Sequence, residues 1–514
     1  MDRFLPAAWR PPIPVIQRIR VQLSFKLPGK RLAPLILLAW CGVLFLYGLN
    51  AGPLYRTESL RAIIGAECLR GNWLYPILYG EPFLTKPPGQ YAAIALCSLP
   101  FGEVSAATAR IPSAIAATVT VVLMWGLFRR TLGERPAFIA AMLLPTSVLW
   151  LDKVPSAEID MTLVGWVTAS LVLFHRALES RAERREPPGK SESPGGSRRS
   201  ARLSLLILSL LCLAAGTLTK WTAPAFFYMT AIPLLVWRGQ LRILFGWRHL
   251  LAVGIAVALF ATWAFAVSQQ VGWEALRDTI RKEAAYRFNP PPKAKGYPWS
   301  EVVSYPLLVL AAHLPLSLFA LRTLQPSFMR DLDDRMKLLV QFLHCWAWPN
   351  LLFWSLVPNH NVRYALPLSP ALMGLGVLGL SRLRLRRPEI PRSRKRLILL
   401  IAFLVIWLVV KIVFVEVVIP HRTSGRNAEA TASSLRELVP PGETLHLSKL
   451  KDEGVMFYYG RPVRKFHDPR DLPRPCYAIL IQQEWDGRAA FGDVEAVQWM
   501  YDQQGDPIVL VKLK

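Results

Sequence analysis

A polytopic α-helical membrane protein carrying a small external α/β domain is the fold class that this sequence predicts, and three observations predict it. The 514 residues are 53% hydrophobic, more than an ordinary soluble domain of mixed composition carries. Apolar runs of roughly 17–25 residues, each long enough to cross a bilayer as a helix, recur from Ala33 to about Val418. Lipid offers no partner for backbone N–H and C=O groups, so such runs must be helical. Between the runs, Arg and Lys collect in alternate loops, the charge asymmetry that fixes orientation in an inner membrane.

Taken in order, spans are expected at 33–50, 108–129, 136–151, 158–176, 203–217, 222–237, 249–268, 302–322, 338–357, 362–381 and 396–418. The basic segment 1–32 carries Arg3, Arg10, Arg18 and Arg20, and no small-residue cleavage site follows 33–50, so the first run reads as a retained anchor. Basic loops lie at Arg129–Arg135, 177–202, Arg238–Arg248, Arg330–Lys337 and Arg382–Arg396. With the N-terminus cytoplasmic, every one of them falls inside, and eleven spans leave the C-terminus outside. Gly89–Phe101 breaks this parity if counted and is too short to cross, so it reads as a juxtamembrane or re-entrant helix. The stretch 177–202, rich in Arg, Glu, Ser, Pro and Gly, reads as a disordered cytoplasmic loop.

Three parts follow: a cytoplasmic segment 1–32, a membrane domain 33–419 with a long first external loop 51–107, and an external (periplasmic) α/β domain 420–514. In the last, Asn427–Leu438 has helical character, and Thr444–Ser448, Tyr477–Gln482 and Pro507–Leu513 read as strands between Pro and Gly turns. The net charge of +26 is accounted for by the inter-helix loops and gives no ground for a nucleic-acid partner. The six cysteines show no metal or disulfide spacing; Cys68 and Cys476, both in segments expected outside, leave one bridge open.

The outer loops hold the residues that composition does not explain. A loop as long as 51–107 is usually functional. Glu58, Arg61 and Glu67 at helical spacing predict an amphipathic surface helix. Further on stand Gly71-Asn72-Trp73, then Glu81 and Thr85-Lys86-Pro87-Pro88-Gly89, and later Val154-Pro155-Ser156-Ala157-Glu158-Ile159-Asp160-Met161. Cations appear in three more outer turns: Lys220 between two apolar runs, Arg287 and Arg363. Arg suits bidentate contact with phosphate.

This order of motifs, down to Ala107–Pro112 before the next span, resembles the protein O-mannosyltransferase and lipid A aminoarabinose-transferase superfamily, over roughly 35–380. The resemblance implies the type C glycosyltransferase fold and transfer of a sugar from a polyprenyl phosphate to a lipid, glycan or protein hydroxyl. It implies a catalytic acid in the first loop, where the family Asp is replaced by Thr57 and Glu58 stands beside it. Thr is no base near neutral pH and a carboxylate is, so Glu58 is the expected base and Asp160 the second acid. Lys86, Arg287, Arg363 and Lys220 are expected on the donor phosphate, and Arg61, Tyr91 and Tyr364 on the substrates. Some relatives bind a metal through a Glu before the loop Lys and a His in the fourth external loop. Thr85 and Ala284 occupy those positions here, so no metal or cofactor is expected. Two other readings stay open: a transporter or flippase, and an inactive relative that keeps the motifs as structure.

Overall fold

The computed structural model describes residues 32–182, 195–288, 297–359, 361–382 and 393–514. Expectations for 1–31, 183–194 and 383–392, and for the side chains of Ala284 and Arg287, lie outside the described residues.

Helix α1 (Leu32–Leu46) leads into the first long loop, which folds as α2 (Thr57–Leu69), a minimal hairpin of β1 (Ile77–Leu78) and β2 (Glu81–Pro82), and α3 (Gly89–Ser98). A bundle follows: α4 (Ala106–Leu132), α5 (Glu134–Leu143), α6 (Val148–Lys153), α7 (Ile159–Ala182), α8 (Gly195–Thr219), α9 (Ala223–Trp237) and α10 (Trp247–Val271). Beyond it come α11 (Trp273–Phe288), α12 (Trp299–Ala312), α13 (Leu316–Arg322), α14 (Asp334–Leu356), a 3₁₀ segment Val362–Leu368, α15 (Ser369–Arg382), α16 (Ser393–Val413) and α17 (Ile419–Thr423).

Among the described residues six helices are long and apolar enough to cross a membrane: Ala106–Leu132, Ile159–Ser180, Ser200–Thr219, Trp247–Val271, Val362–Ser381 and Leu397–Thr423. They differ in surroundings. The Val362–Ser381 and α7 windows are 83% and 78% buried and form the centre of the bundle, whereas those of α10 and of Leu397–Thr423 are only 17% and 22% buried; their exposed Leu, Val, Ile and Phe side chains form the lipid-facing wall.

The expected single span 136–151 is instead two helices. Pro145 lacks the N–H that would continue α5, and Ser147 caps α6 by accepting from Trp150 N–H at 3.3 Å. The expected span 302–322 bends by 114° between α12 and α13, at His313-Leu314-Pro315. The expected spans 33–50 and 222–237 are the shorter apolar helices Leu32–Leu46 and Ala223–Trp237. α14 stands where 338–357 was expected, but it buries Gln341, His344 and Asn350 in the bundle. α3, at ten residues, is short as expected.

From α18 (Ala428–Leu438) the chain forms an α/β layer with β3 (Leu445–Leu447), α19 (Glu453–Tyr459), β4 (Val463–Lys465), β5 (Cys476–Ile481), α20 (Gln482–Asp486), β6 (Val494–Tyr501) and β7 (Pro507–Leu513). The sheet order is β4-β3-β5-β7-β6; β3 runs parallel to β4 and β5, and β7 antiparallel to β5 and β6. Leu447, Ile479 and Leu510 pack against α18 and α19 on one face, and Ala478, Leu480 and Val509 against Phe466 and Phe491 on the other. This layer grips the first loop. The Tyr458 hydroxyl accepts from Leu54 N–H at 3.0 Å, Gln503 donates to Leu54 O at 3.3 Å, and Lys465 N–H donates to Tyr79 O at 3.1 Å. Cys68 and Cys476 are both free and buried, in separate apolar clusters, so the bridge left open by the sequence does not form.

Candidate active site

The site is built on the N-terminus of α7, where unpaired backbone N–H groups favour negative charge. Asp160 lies in the first turn of that helix, and Glu158 just precedes it. Ser113 of α4 pins the approach by donating to Ser156 O at 2.7 Å. Both carboxylates are buried, at 7% and 1% exposure, where an unpaired charge would be strongly destabilising.

Three cations from three distant segments meet them. Lys220 sits in the tight turn between α8 and α9, with its N–H on Gly216 O at 2.8 Å. Its Nζ lies 2.5 Å from Asp160 Oδ1 and 4.7 Å above the Tyr364 ring. Arg363 opens the 3₁₀ segment, whose start is capped by Asn361 Oδ1 accepting from Arg363 N–H at 3.1 Å. Its guanidinium bridges both acids, 3.1 Å from Glu158 Oε1 and 3.7 Å from Asp160 Oδ2. Arg61 of α2 lies 2.5 Å from Glu158 Oε2. One turn earlier, the Thr57 hydroxyl donates to Glu158 Oε1 at 2.5 Å. Three cations against two carboxylates leave one positive charge in surplus. An anionic ligand can neutralise that surplus, and a phosphate ester does so with several acceptor oxygens.

Lys86 lies in a second pair, with Glu283 of α11. The two sets are adjacent through the backbone: Trp221, next to Lys220, donates its indole N–H to Thr85 O at 3.1 Å. Gly89 permits this approach, because a Cβ there would stand 2.7 Å from Leu218 O and from Thr219 Oγ1. Tyr91 is buried between the sets; burial pushes its hydroxyl pKa up, Arg61 opposes this, and Glu158 and Glu283 add to it.

Glu58 is elsewhere. Its oxygens accept from Arg110 Nε at 3.2 Å and Arg110 NH2 at 3.3 Å, and Oε1 also accepts from Ala157 N–H at 2.8 Å. Arg110 in turn donates to Leu49 O at 2.8 Å and Ala51 O at 3.1 Å. The structure thus brings together Asp160, Lys220, Arg363, Arg61 and Tyr364 of the expected residues, sets Lys86 and Tyr91 beside them, and turns Glu58 away to Arg110. Sequence reasoning passed over Glu158 and Glu283. Glu158 was signalled by its place two residues before Asp160; nothing local signalled Glu283 as the partner of Lys86.

Fold and site together define a multi-pass membrane protein with the type C glycosyltransferase fold, its charged site at the mouth of the central helix. Residues 85–185 match the dolichyl-phosphate-mannose-protein mannosyltransferase family. The chain is similar to an undecaprenyl phosphate-alpha-4-amino-4-deoxy-L-arabinose arabinosyl transferase of Pseudomonas aeruginosa, with 30% identity over 68% of this chain and 60% of that protein. A Pseudomonas fluorescens protein named as such a transferase is 28% identical over 70% of this chain and 62% of its own length. The matched stretch therefore spans about three fifths of these relatives. The crystal structure of ArnT from Cupriavidus metallidurans bound to undecaprenyl phosphate superposes with a TM-score of 0.67 at 16% identity, covering 93% of this chain and 97% of that one. The apo oligosaccharyltransferase of Archaeoglobus fulgidus shares the fold at a TM-score of 0.54 and 12% identity. The chain belongs to the superfamily that unites protein O-mannosyltransferases with the aminoarabinose transferases.

Proposed function

We propose that this protein transfers a sugar from a polyprenyl-phosphate donor to the hydroxyl of a lipid, glycan or protein acceptor at the outer face of a bacterial inner membrane. The observation that carries the reading is the surplus of cations, Arg61, Lys220 and Arg363, around two buried carboxylates at a helix N-terminus. A carboxylate takes the acceptor proton, the acceptor oxygen attacks the anomeric carbon, and the polyprenyl phosphate leaves with the bonding pair. A cation held in place stabilises the charge that develops on the leaving phosphate. One displacement implies inversion at the anomeric carbon. Undecaprenyl phosphate, which the similar arabinosyl transferases carry in their names and the ArnT structure holds bound, is the donor carrier this reading favours. Lys86, paired with Glu283 of α11, is the further cation this reading sets on the donor phosphate. With Thr85 and Ala284 at the positions where relatives hold metal ligands, the reaction runs without a metal.

Purified protein is to be given a panel of labelled polyprenyl-phosphate sugars together with membrane extract. Transfer of label from at least one donor, with release of polyprenyl phosphate, supports the reading; no transfer from any of them contradicts it. The orientation follows the loop charges: reporters fused after Arg199 and at Lys514 are expected in opposite compartments, and signals from the same compartment contradict it.

A further inference from the structure

The sequence leaves the first loop without the acid expected at position 57, and the structure places a different acid there. Thr57 is exposed at the start of α2, and its hydroxyl donates to Glu158 Oε1 at 2.5 Å. Glu158 comes from a segment 101 residues away. Its second oxygen is held by Arg61 at 2.5 Å, and the first is shared with Arg363 at 3.1 Å. The backbone that presents it is fixed from both sides. Ser113 Oγ donates to Ser156 O at 2.7 Å and to Glu158 O at 3.3 Å, and Glu58 accepts from Ala157 N–H at 2.8 Å. A carboxylate clamped in this way, with the hydroxyl of an exposed threonine hydrogen-bonded to it, has the geometry required of a base acting on an alcohol, whose oxygen must lie within roughly 2.6–3.2 Å of the base or one water away.

We propose that Glu158 is the general base of the transfer reaction, and that the Thr57 hydroxyl occupies the position taken by the acceptor hydroxyl. The inference rests on the transfer activity proposed above. In the step itself, the acceptor O–H bond breaks and its proton passes to Glu158. The acceptor oxygen bonds to the anomeric carbon. The bond from that carbon to the phosphate oxygen breaks, and its electron pair leaves on the polyprenyl phosphate, next to Lys220 and Arg363. Arg363 contributes to timing. It is the most exposed cation of the cluster, at 27% of its side chain against 8% for Arg61 and 6% for Lys220. An arriving phosphate therefore meets Arg363 first and draws it from Glu158, which removes an opposite charge and makes the carboxylate more basic. Asp160, paired with Lys220 at the N-terminus of α7, then serves as the fixed countercharge that positions Lys220 on the leaving group. Glu58 is a positioning residue that acts through the Ala157 N–H.

The test compares wild type, Glu158→Gln, Thr57→Asp and the double variant Thr57→Asp/Glu158→Gln, with transfer measured at saturating donor and binding measured separately with undecaprenyl phosphate. Glu158→Gln is expected to lower kcat about 10²–10⁴-fold, with undecaprenyl phosphate affinity within about threefold of wild type, which also shows that the variant is folded. Thr57→Asp alone sets two carboxylates against each other and is expected to lower transfer. Combined with Glu158→Gln, it returns an acid to the same place and is expected to raise kcat at least tenfold above Glu158→Gln. A structural role for Glu158 predicts a loss in donor affinity and no rescue by the swap; either result overturns the proposal, as does Glu158→Gln keeping more than about a third of wild-type kcat. A wild-type protein that transfers from no donor overturns the activity itself and this assignment with it, and that outcome is distinct from active wild type with an indifferent Glu158.

Discussion

Two of the ion-pair sets that tie the first loop to the membrane helices differ in one respect that separates brace from candidate site. Glu58 and Arg110 form a closed pair: one acid meets one base, and the remaining guanidinium donors are taken by the carbonyls of Leu49 and Ala51. Nothing is left over to attract a ligand. Around Glu158 and Asp160, by contrast, three cations face two acids, and Arg363 remains partly open to solvent. Both sets use buried charges contributed by distant segments. Only the second has a charge surplus, which is why the phosphate is proposed to bind there and the closed pair is assigned to bracing the backbone.

The largest expected effect comes from removing a cation inside the open set. Lys220→Ala leaves Asp160 buried without its closest partner, and breaking a buried pair by deleting one member costs about 3–5 kcal/mol. We expect transfer to fall at least 10³-fold and the melting temperature to drop; Lys220→Ala combined with Asp160→Asn should recover melting temperature but not transfer. Recovery of both would make the pair structural.

Arg110→Met attacks the closed set. The same burial argument predicts a clear loss of thermal stability, yet the folded fraction is expected to bind undecaprenyl phosphate within about threefold of wild type. An affinity loss without a stability loss would erase the distinction between the two sets.

A smaller effect is expected at Lys86. Its pair with Glu283 is part-exposed on both sides, at 19% and 23%, so Lys86→Ala should weaken donor binding by about tenfold, measured as donor KM. A loss as large as that of Lys220→Ala would move Lys86 into the open set. Smallest of all is the response to chelation: with Thr85 and Ala284 at the positions of the relatives' metal ligands, EDTA is expected to change transfer less than twofold, and restoration of activity by an added divalent ion would contradict this.

These contrasts explain what was legible in the sequence. Hydropathy and loop charge are local properties, so α4, α7, α8 and α10 were readable from composition and length. Pro145 was also readable, but the apolar residues on both sides of it hid the break between α5 and α6. In the α/β layer, β5 and β7 show as compact apolar runs. β6 does not, because a register shift between Ala496 and Gln498 interrupts its alternation. The site was half legible. Asp160, Lys220 and Arg363 stood out as charges beside apolar runs. That Glu58 turns to Arg110 and Glu158 takes the place beside Thr57 depends on contacts across 52 and 101 residues, which spacing alone does not encode.

The most direct test of the distinction is equilibrium binding of undecaprenyl phosphate to purified protein, comparing Arg363→Ala with Glu58→Gln. A charge-assisted hydrogen bond contributes about 1.5–3 kcal/mol, or roughly 10–100-fold in affinity. Arg363→Ala is therefore predicted to bind about 10–100-fold more weakly than wild type, and Glu58→Gln within about threefold of it. Equal losses in the two variants, or a larger loss for Glu58→Gln, would contradict the claim that the cluster around Glu158 and Asp160 is where the phosphate binds.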